Sequence, residues 1–187
     1  MKDEKMKGVK TEGASKKAEH MTSLSGNRLV CKTHGRIAFR GRIDTLEAEV
    51  IEAQVLASQL GDPGLCGSLG EILGYLRSLM AAEVRETPLP PPFLFGMDAE
   101  ELHRQSHDTK GIFGDVPFPA CTQGLLAARI NTLRAKVREA ELLAVKVFGP
   151  AADAEETAER EDIILALNRL SSALWWLFCK YVSGREK

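Results

Sequence analysis

The chain is short of the residues that mark several common function classes. Its four cysteines, Cys31, Cys66, Cys121 and Cys179, form no Cys-x-x-Cys pair. That argues against a zinc site or disulfide framework and for free thiols in a reducing compartment. Surplus charge is also missing: 25 Lys+Arg against 26 Asp+Glu leave −1 over 187 residues. Nucleic acid and an anionic membrane are therefore not expected partners, and any anion site must be local. No apolar run reaches about 18 residues, and the N-terminus is charged, so we expect no secretory or membrane segment and a cytoplasmic protein. There is no Gly-x-x-x-x-Gly-Lys-Ser/Thr loop, no local Ser/His/Asp signature and no strand-like alternation of any length.

What is present is helical periodicity. Leu126, Ile130, Leu133, Val137, Ala140, Ala144 and Val147 recur at spacings of 4 and 3 along Leu125–Phe148. This is the apolar seam of a helix packed in a bundle. A first helix is predicted from about Ile37 or Arg40 to Leu60, with Ile43, Leu46, Val50, Ala53, Ala57 and Leu60 inward. Gly61-Asp62-Pro63-Gly64 stops it. A second covers about Leu65–Val84, facing Leu65, Leu69, Ile72, Leu76, Leu79 and Met80 inward. Its glycines, Gly67, Gly70 and Gly74, would permit close packing against a neighbour. Pro88–Pro92 is a stiff crossover. Asp98 with Glu101 starts a short helix over Ala99–His107, and Asp108–Pro119 reads as a loop with Phe113 and Phe118 exposed. Asp153 with Glu156 is a capping box for a last helix, about Ala154–Val182, with seam Ile163, Leu167, Leu170, Leu174, Leu177 and Tyr181. The expected fold is all-α: an up-and-down bundle of four long helices plus one short helix. Residues 1–21 read as a flexible lysine-rich segment and 22–187 as the domain, with His20–Gly35 a polar connector.

Arg134, Arg138 and Glu141 lie one step round from the seam of Leu125–Phe148, and Asn168 and Ser171 one step off the last seam. Two guanidinium groups and a carboxylate on one helix face suit a polyanion with its metal ion. They equally suit a solvated ion-pair row. His103 and His107 are four apart and could share a metal. Glu100-x-x-His103 has the spacing of di-iron bundles, but no second Glu-x-x-His accompanies it.

Several blocks together resemble a known family. Leu167-Asn168-Arg169-Leu170-Ser171 resembles the "LNRLS" of ATP:cob(I)alamin adenosyltransferases of the PduO and ethanolamine-utilisation types. Arg134-x-x-x-Arg138-x-x-Glu141 is similar to the Arg-x-x-x-Arg-x-x-Glu helix of both. Glu101-Leu102-His103-Arg104-Gln105-Ser106-His107 resembles an "ELHRxSH" stretch of the ethanolamine type. Asn27–Lys32, with Arg36 and Asp44-Thr45-Leu46, is similar to the lead-in to the first helix.

The resemblance implies a helical bundle that forms homotrimers with active sites between subunits. It implies transfer of the 5′-deoxyadenosyl group of ATP to the cobalt of reduced cobalamin, with release of triphosphate. By similarity Arg138 binds the triphosphate, Glu141 helps hold Mg²⁺, Asn168 contacts the nucleotide and Lys32 reaches a phosphate. Arg134 and Asp44 pair across the subunit interface. An apolar side chain displaces the lower cobalt ligand, and Phe118 is the candidate, with Phe113 second. A bacterial microcompartment becomes a possible setting, in ethanolamine or propanediol utilisation. The chain also departs from the family. Lys10-Thr11-Glu12-Gly13-Ala14 is a worn form of the PduO-type ATP loop, and Glu139 and Leu142 stand where arginines are expected. The upstream cysteine cluster of the ethanolamine type is missing, so no structural iron or zinc is expected. Two other readings stay open: a non-catalytic corrinoid- or nucleotide-binding bundle, and a plain helical interaction module.

Overall fold

A computed structural model describes residues 17–150 and 157–185. A hairpin of β1 (Met21–Ser25) and β2 (Arg28–Cys31) leads into α1 (Gly35–Gln59) and α2 (Pro63–Arg85). The short helices α3 (Ala99–His107) and α4 (Thr109–Phe113) follow, then a 3-10 turn at Cys121–Gln123. The long helices α5 (Leu125–Phe148) and α6 (Glu161–Arg185) complete the chain. Helix α1 packs on α2 and α5, α5 packs on α6, and α6 also touches α2 and carries α3. This is the expected all-α bundle of four long helices, with α3 short beside it.

The seams behave as their spacing predicts. Leu126, Ile130, Leu133, Val137, Ala140 and Ala144 of α5 are buried, and Phe148 takes the last position in place of half-buried Val147. Phe148 meets Phe39 of α1 edge-on, ring centroids 5.3 Å apart. On α6, Ile163, Leu167, Leu170, Leu174 and Leu177 are buried and Tyr181 is half-buried. This helix is long and apolar enough to cross a bilayer by length and composition, yet it spends its apolar face on the bundle core. Leu60 is exposed because α1 ends one residue earlier, where Gly61 turns the chain at φ +71°. Asp62 then accepts from the Leu65 amide at 2.8 Å, and Pro63 opens α2 where a missing N–H costs nothing. Of Gly67, Gly70 and Gly74 only Gly70 marks a close approach: a Cβ there would meet Gln54 Nε2 of α1 at 3.3 Å.

Three expectations are corrected. The connector His20–Gly35 contains a β-hairpin rather than irregular chain. Gly26, at φ +50°, opens its two-residue turn, where glycine is favoured. Its strands are too short and too polar to show alternation. Asp108–Pro119 is not all loop, because the Asp108 side chain accepts from the Gly111 amide and caps α4. Phe113 is consequently packed edge-on against Trp176 at 5.5 Å rather than exposed. Finally, α6 starts at Glu161, not near Ala154. The proposed cap Asp153–Glu156 lies outside the described residues. Just before the helix the Glu159 amide bonds Phe148 O at 2.8 Å, and Arg160 donates to Asp162 and to Thr87 O. The Glu159 bond holds the chain to the end of α5, and the Arg160 bond holds it to the segment just after α2.

A buried carboxylate ties the hairpin to the bundle. Glu83 of α2 is fully buried and accepts from Arg36 at 2.5 Å and from Arg40. Arg36 also reaches Glu86 at 2.7 Å, and Arg40 donates to Leu24 O of β1 at 2.7 Å. A carboxylate with no solvent is tolerated here because two guanidinium groups neutralise it.

Candidate functional site

Helices α5 and α6 run in opposite directions, and each presents a polar row beside its buried seam. On α5 the row is Arg134, Arg138, Glu141; on α6 it is Asn168, Ser171, Trp175. The rows meet in register. Asn168 Nδ2 donates to Glu141 Oε1 at 2.9 Å. Arg134 lies over the Trp175 ring at 5.7 Å, a cation–π distance. Arg138 and Ser171 come between, on the wall of a cavity of about 350 Å³.

That cavity is also lined by Ser106 and His107 from the end of α3, and by Phe118 and Pro119 from the loop before α5. Phe118 is 89% exposed, an aromatic ring at the cavity mouth with almost no protein contact to hide it. Arg134 is anchored by its own helix, donating to Asn131 Oδ1 at 3.1 Å. Arg138 is exposed and has no hydrogen-bond or ion-pair partner among the described residues. No carboxylate lines this cavity, so two cations face it without a counter-ion. Glu141 and Asn168 line an adjoining cavity of about 540 Å³ with Glu161, Asp162, Ile164 and Leu165. Arg169 donates to Asn168 Oδ1 at 2.7 Å and so fixes the amide orientation.

Five of the seven predicted site residues therefore converge: Arg134, Arg138 and Phe118 on one cavity, Glu141 and Asn168 on the next. The other two stand apart from them. Lys32 is exposed just past the end of β2, and Asp44 is exposed on α1 without a partner among the described residues. Within the chain Arg134 and Asp44 do not pair. Trp175 and Ser172 went unnoticed in the sequence. The α6 row from Asn168 through Ser171 reaches Trp175 at the next helical step, which was the available signal. His103 and His107 have no third ligand beside them: among the described residues no group of three or more His, Cys, Asp or Glu side chains is placed to hold a metal ion. Their rings lie 4.3 Å apart. His103 titrates below the ordinary imidazole range, through desolvation first and then the positive charge of Arg169 and the His107 ring.

Residues 14–181 match the cobalamin adenosyltransferase family. The chain belongs to that family. It is 34% identical over 161 residues to the corrinoid adenosyltransferase EutT of Salmonella typhimurium, an alignment covering 86% of this chain and 58% of the relative. The Escherichia coli EutT is 33% identical over 162 residues, with the same two coverages. The chain thus spans 58% of the length of these curated relatives. Among solved structures, a variant PduO-type ATP:corrinoid adenosyltransferase from Lactobacillus reuteri, complexed with cobalamin and ATP, has the same fold. Its TM-score is 0.61 at 19% identity, covering 85% of this chain and 84% of that one. As a member of the cobalamin adenosyltransferase family, the chain keeps the family's bundle and builds its polar rows on the two best-packed helices of that bundle.

Proposed function

We propose that this protein transfers the 5′-deoxyadenosyl group of ATP to the cobalt of a reduced corrinoid, releasing triphosphate. The observation that carries the reading is the pair of rows on α5 and α6, with an uncompensated Arg138 between an aromatic cavity and a Glu141–Asn168 pair. A triphosphate leaves poorly unless donors meet its charge, and an unpaired guanidinium can bond it without first giving up an ion pair. Arg138 takes that role. Asn168, oriented by Arg169, contacts the nucleotide. Phe118 and Trp175 supply apolar surface for a flat macrocycle, and ring burial there removes exposed Phe118 from water.

Mg²⁺ fits the donor set. Glu141 Oε1 is occupied by Asn168, and its other oxygen has no partner among the described residues. Mg²⁺ commonly takes one or two carboxylates and fills its remaining positions with water and substrate phosphates. Glu141 would hold it, and the ion would supply positive charge to the phosphates. The protein's own part is positioning, since two partners held in line react as if far more concentrated.

The reading includes an assembly. Asp44 and Arg134, unpaired with each other in one protomer, would meet across a homotrimer interface, and Lys32 would reach a phosphate from a neighbouring chain. The lysine-rich segment ahead of β1 would contribute to the ATP site, and the protein would act in the cytoplasm or in a bacterial microcompartment. The test is an absorbance assay. Mixing the protein with ATP, Mg²⁺ and chemically reduced cobalamin should convert the corrinoid spectrum to the adenosylated form. An unchanged spectrum, with cobalamin bound, would favour a carrier over an enzyme.

A further inference from the structure

The last turn of α3 fixes an imidazole on the wall of the aromatic cavity. The carbonyl of His103 accepts twice: from Ser106 Oγ at 2.9 Å and from His107 Nδ1 at 2.8 Å. A carbonyl oxygen only accepts, so Nδ1 carries the hydrogen. In the neutral ring Nε2 is then a bare acceptor. Ser106 is buried and its hydroxyl lies 3.4 Å from the same Nδ1, so the ring is braced from within its own helix. The other polar groups on this cavity are Arg134 and Arg138, which only donate, and the hydroxyls of Ser171 and Ser172, which rotate. His107 is the one lining side chain whose free atom accepts and cannot turn into a donor while the ring is neutral.

We propose that His107 is a specificity-determining residue that accepts a hydrogen bond from a peripheral amide N–H of the corrinoid. This rests on the adenosyltransferase reading. A corrin ring is fringed by primary amides, each with two N–H donors and one carbonyl. The arginines can serve the carbonyls but not the N–H groups. An amide N–H that loses water without gaining an acceptor weakens binding. The His107 Nε2 removes that cost for one amide and so fixes the rotation of the ring in its cavity.

The experiment uses cobalamin and its monocarboxylic acid derivatives, in each of which one peripheral amide is replaced by a carboxylate. Binding is titrated at about pH 8, where free imidazole is neutral. Wild type should bind one of these acids about tenfold more weakly than cobalamin, since a carboxylate offers only lone pairs to Nε2. In His107→Phe that difference should collapse because cobalamin itself binds more weakly. His107→Gln, whose side-chain carbonyl can accept, should restore part of it. Discrimination that persists unchanged in His107→Phe overturns the assignment. So does a wild-type protein indifferent to every amide position, a result that needs no variant to fold. If wild type binds no cobalamin at all, the adenosyltransferase reading fails, and this assignment with it.

Discussion

The Asn168 carboxamide donates to Glu141 at 2.9 Å and accepts from Arg169 at 2.7 Å, so one amide links a carboxylate on α5 to a guanidinium on α6. Asn168 is exposed, and the link adds little to stability. Asn168→Ala should change the unfolding free energy by less than about 1 kcal/mol while raising KM for ATP roughly tenfold, the equivalent of one lost hydrogen bond. Denaturant titration beside steady-state kinetics separates the two effects. A large stability loss with unchanged KM would make the link structural.

Arg138 is exposed and unpartnered, so Arg138→Ala should leave the melting temperature unchanged. It should cut kcat/KM for ATP by about 100-fold, the scale of removing one fixed donor from a developing anion. Arg138→Lys should recover only part, because an ammonium cannot grip two phosphate oxygens in a fork. Wild-type kinetics in the alanine variant would remove Arg138 from the site.

Phe118 has almost no contact to lose within the chain. Phe118→Ala should fold with stability within about 0.5 kcal/mol of wild type. Its turnover should fall most when the supplied corrinoid must be reduced on the protein, and least with corrinoid reduced beforehand. Comparing the two starting states isolates a role in displacing the lower cobalt ligand. An equal loss in both would point to simple corrinoid contact.

Glu83 makes the opposite kind of contribution. Glu83→Gln leaves the Arg36 and Arg40 guanidinium groups without their shared carboxylate, and should cost about 3–5 kcal/mol. Because Arg40 holds Leu24 O, the amides of β1 and β2 should exchange faster with deuterium than those of α5. Uniform exchange across the chain would mean that the network does not tie the hairpin down.

The cysteines offer a chemical check on the packing. Cys179 is buried, and burial pushes its thiol up to about 11. Cys31 is exposed and held below the ordinary thiol range, chiefly by the Thr33 hydroxyl that donates to its sulfur at 3.1 Å. Maleimide near neutral pH should label Cys31 and Cys121 quickly and Cys179 only after unfolding. The sign for stability follows from the raised folded value: an acid that holds its proton more tightly when folded stabilises below its unfolded value. That contribution should fade as pH climbs from about 8.5 towards 11. Early modification of Cys179 in the native state would place α6 outside the core.

Much of this was legible in the chain because helical periodicity is local. The 4–3 spacing of α5 named its buried residues through Ala144 except Ala127, and Gly61-Asp62-Pro63 marked a turn whose bonds are as the residue types require. The hairpin was missed because its short polar strands carry no alternation. The start of α6 was misplaced because Arg160 bonds to Thr87, 73 residues away, and no local pattern encodes that.

The sequence alone determined which residues share a face: Arg134 with Arg138 and Glu141, and Asn168 with Ser171. Fixed rise and rotation per residue make that a property of one helix. Only the tertiary structure decided that the two rows run antiparallel and touch, so that Glu141 meets Asn168 and Arg134 meets Trp175. It also decided that His107 and Phe118 line the same cavity as Arg134 and Trp175. Those contacts follow from how seams of several helices pack at once, and packing between distant segments leaves no mark on the spacing within any one of them.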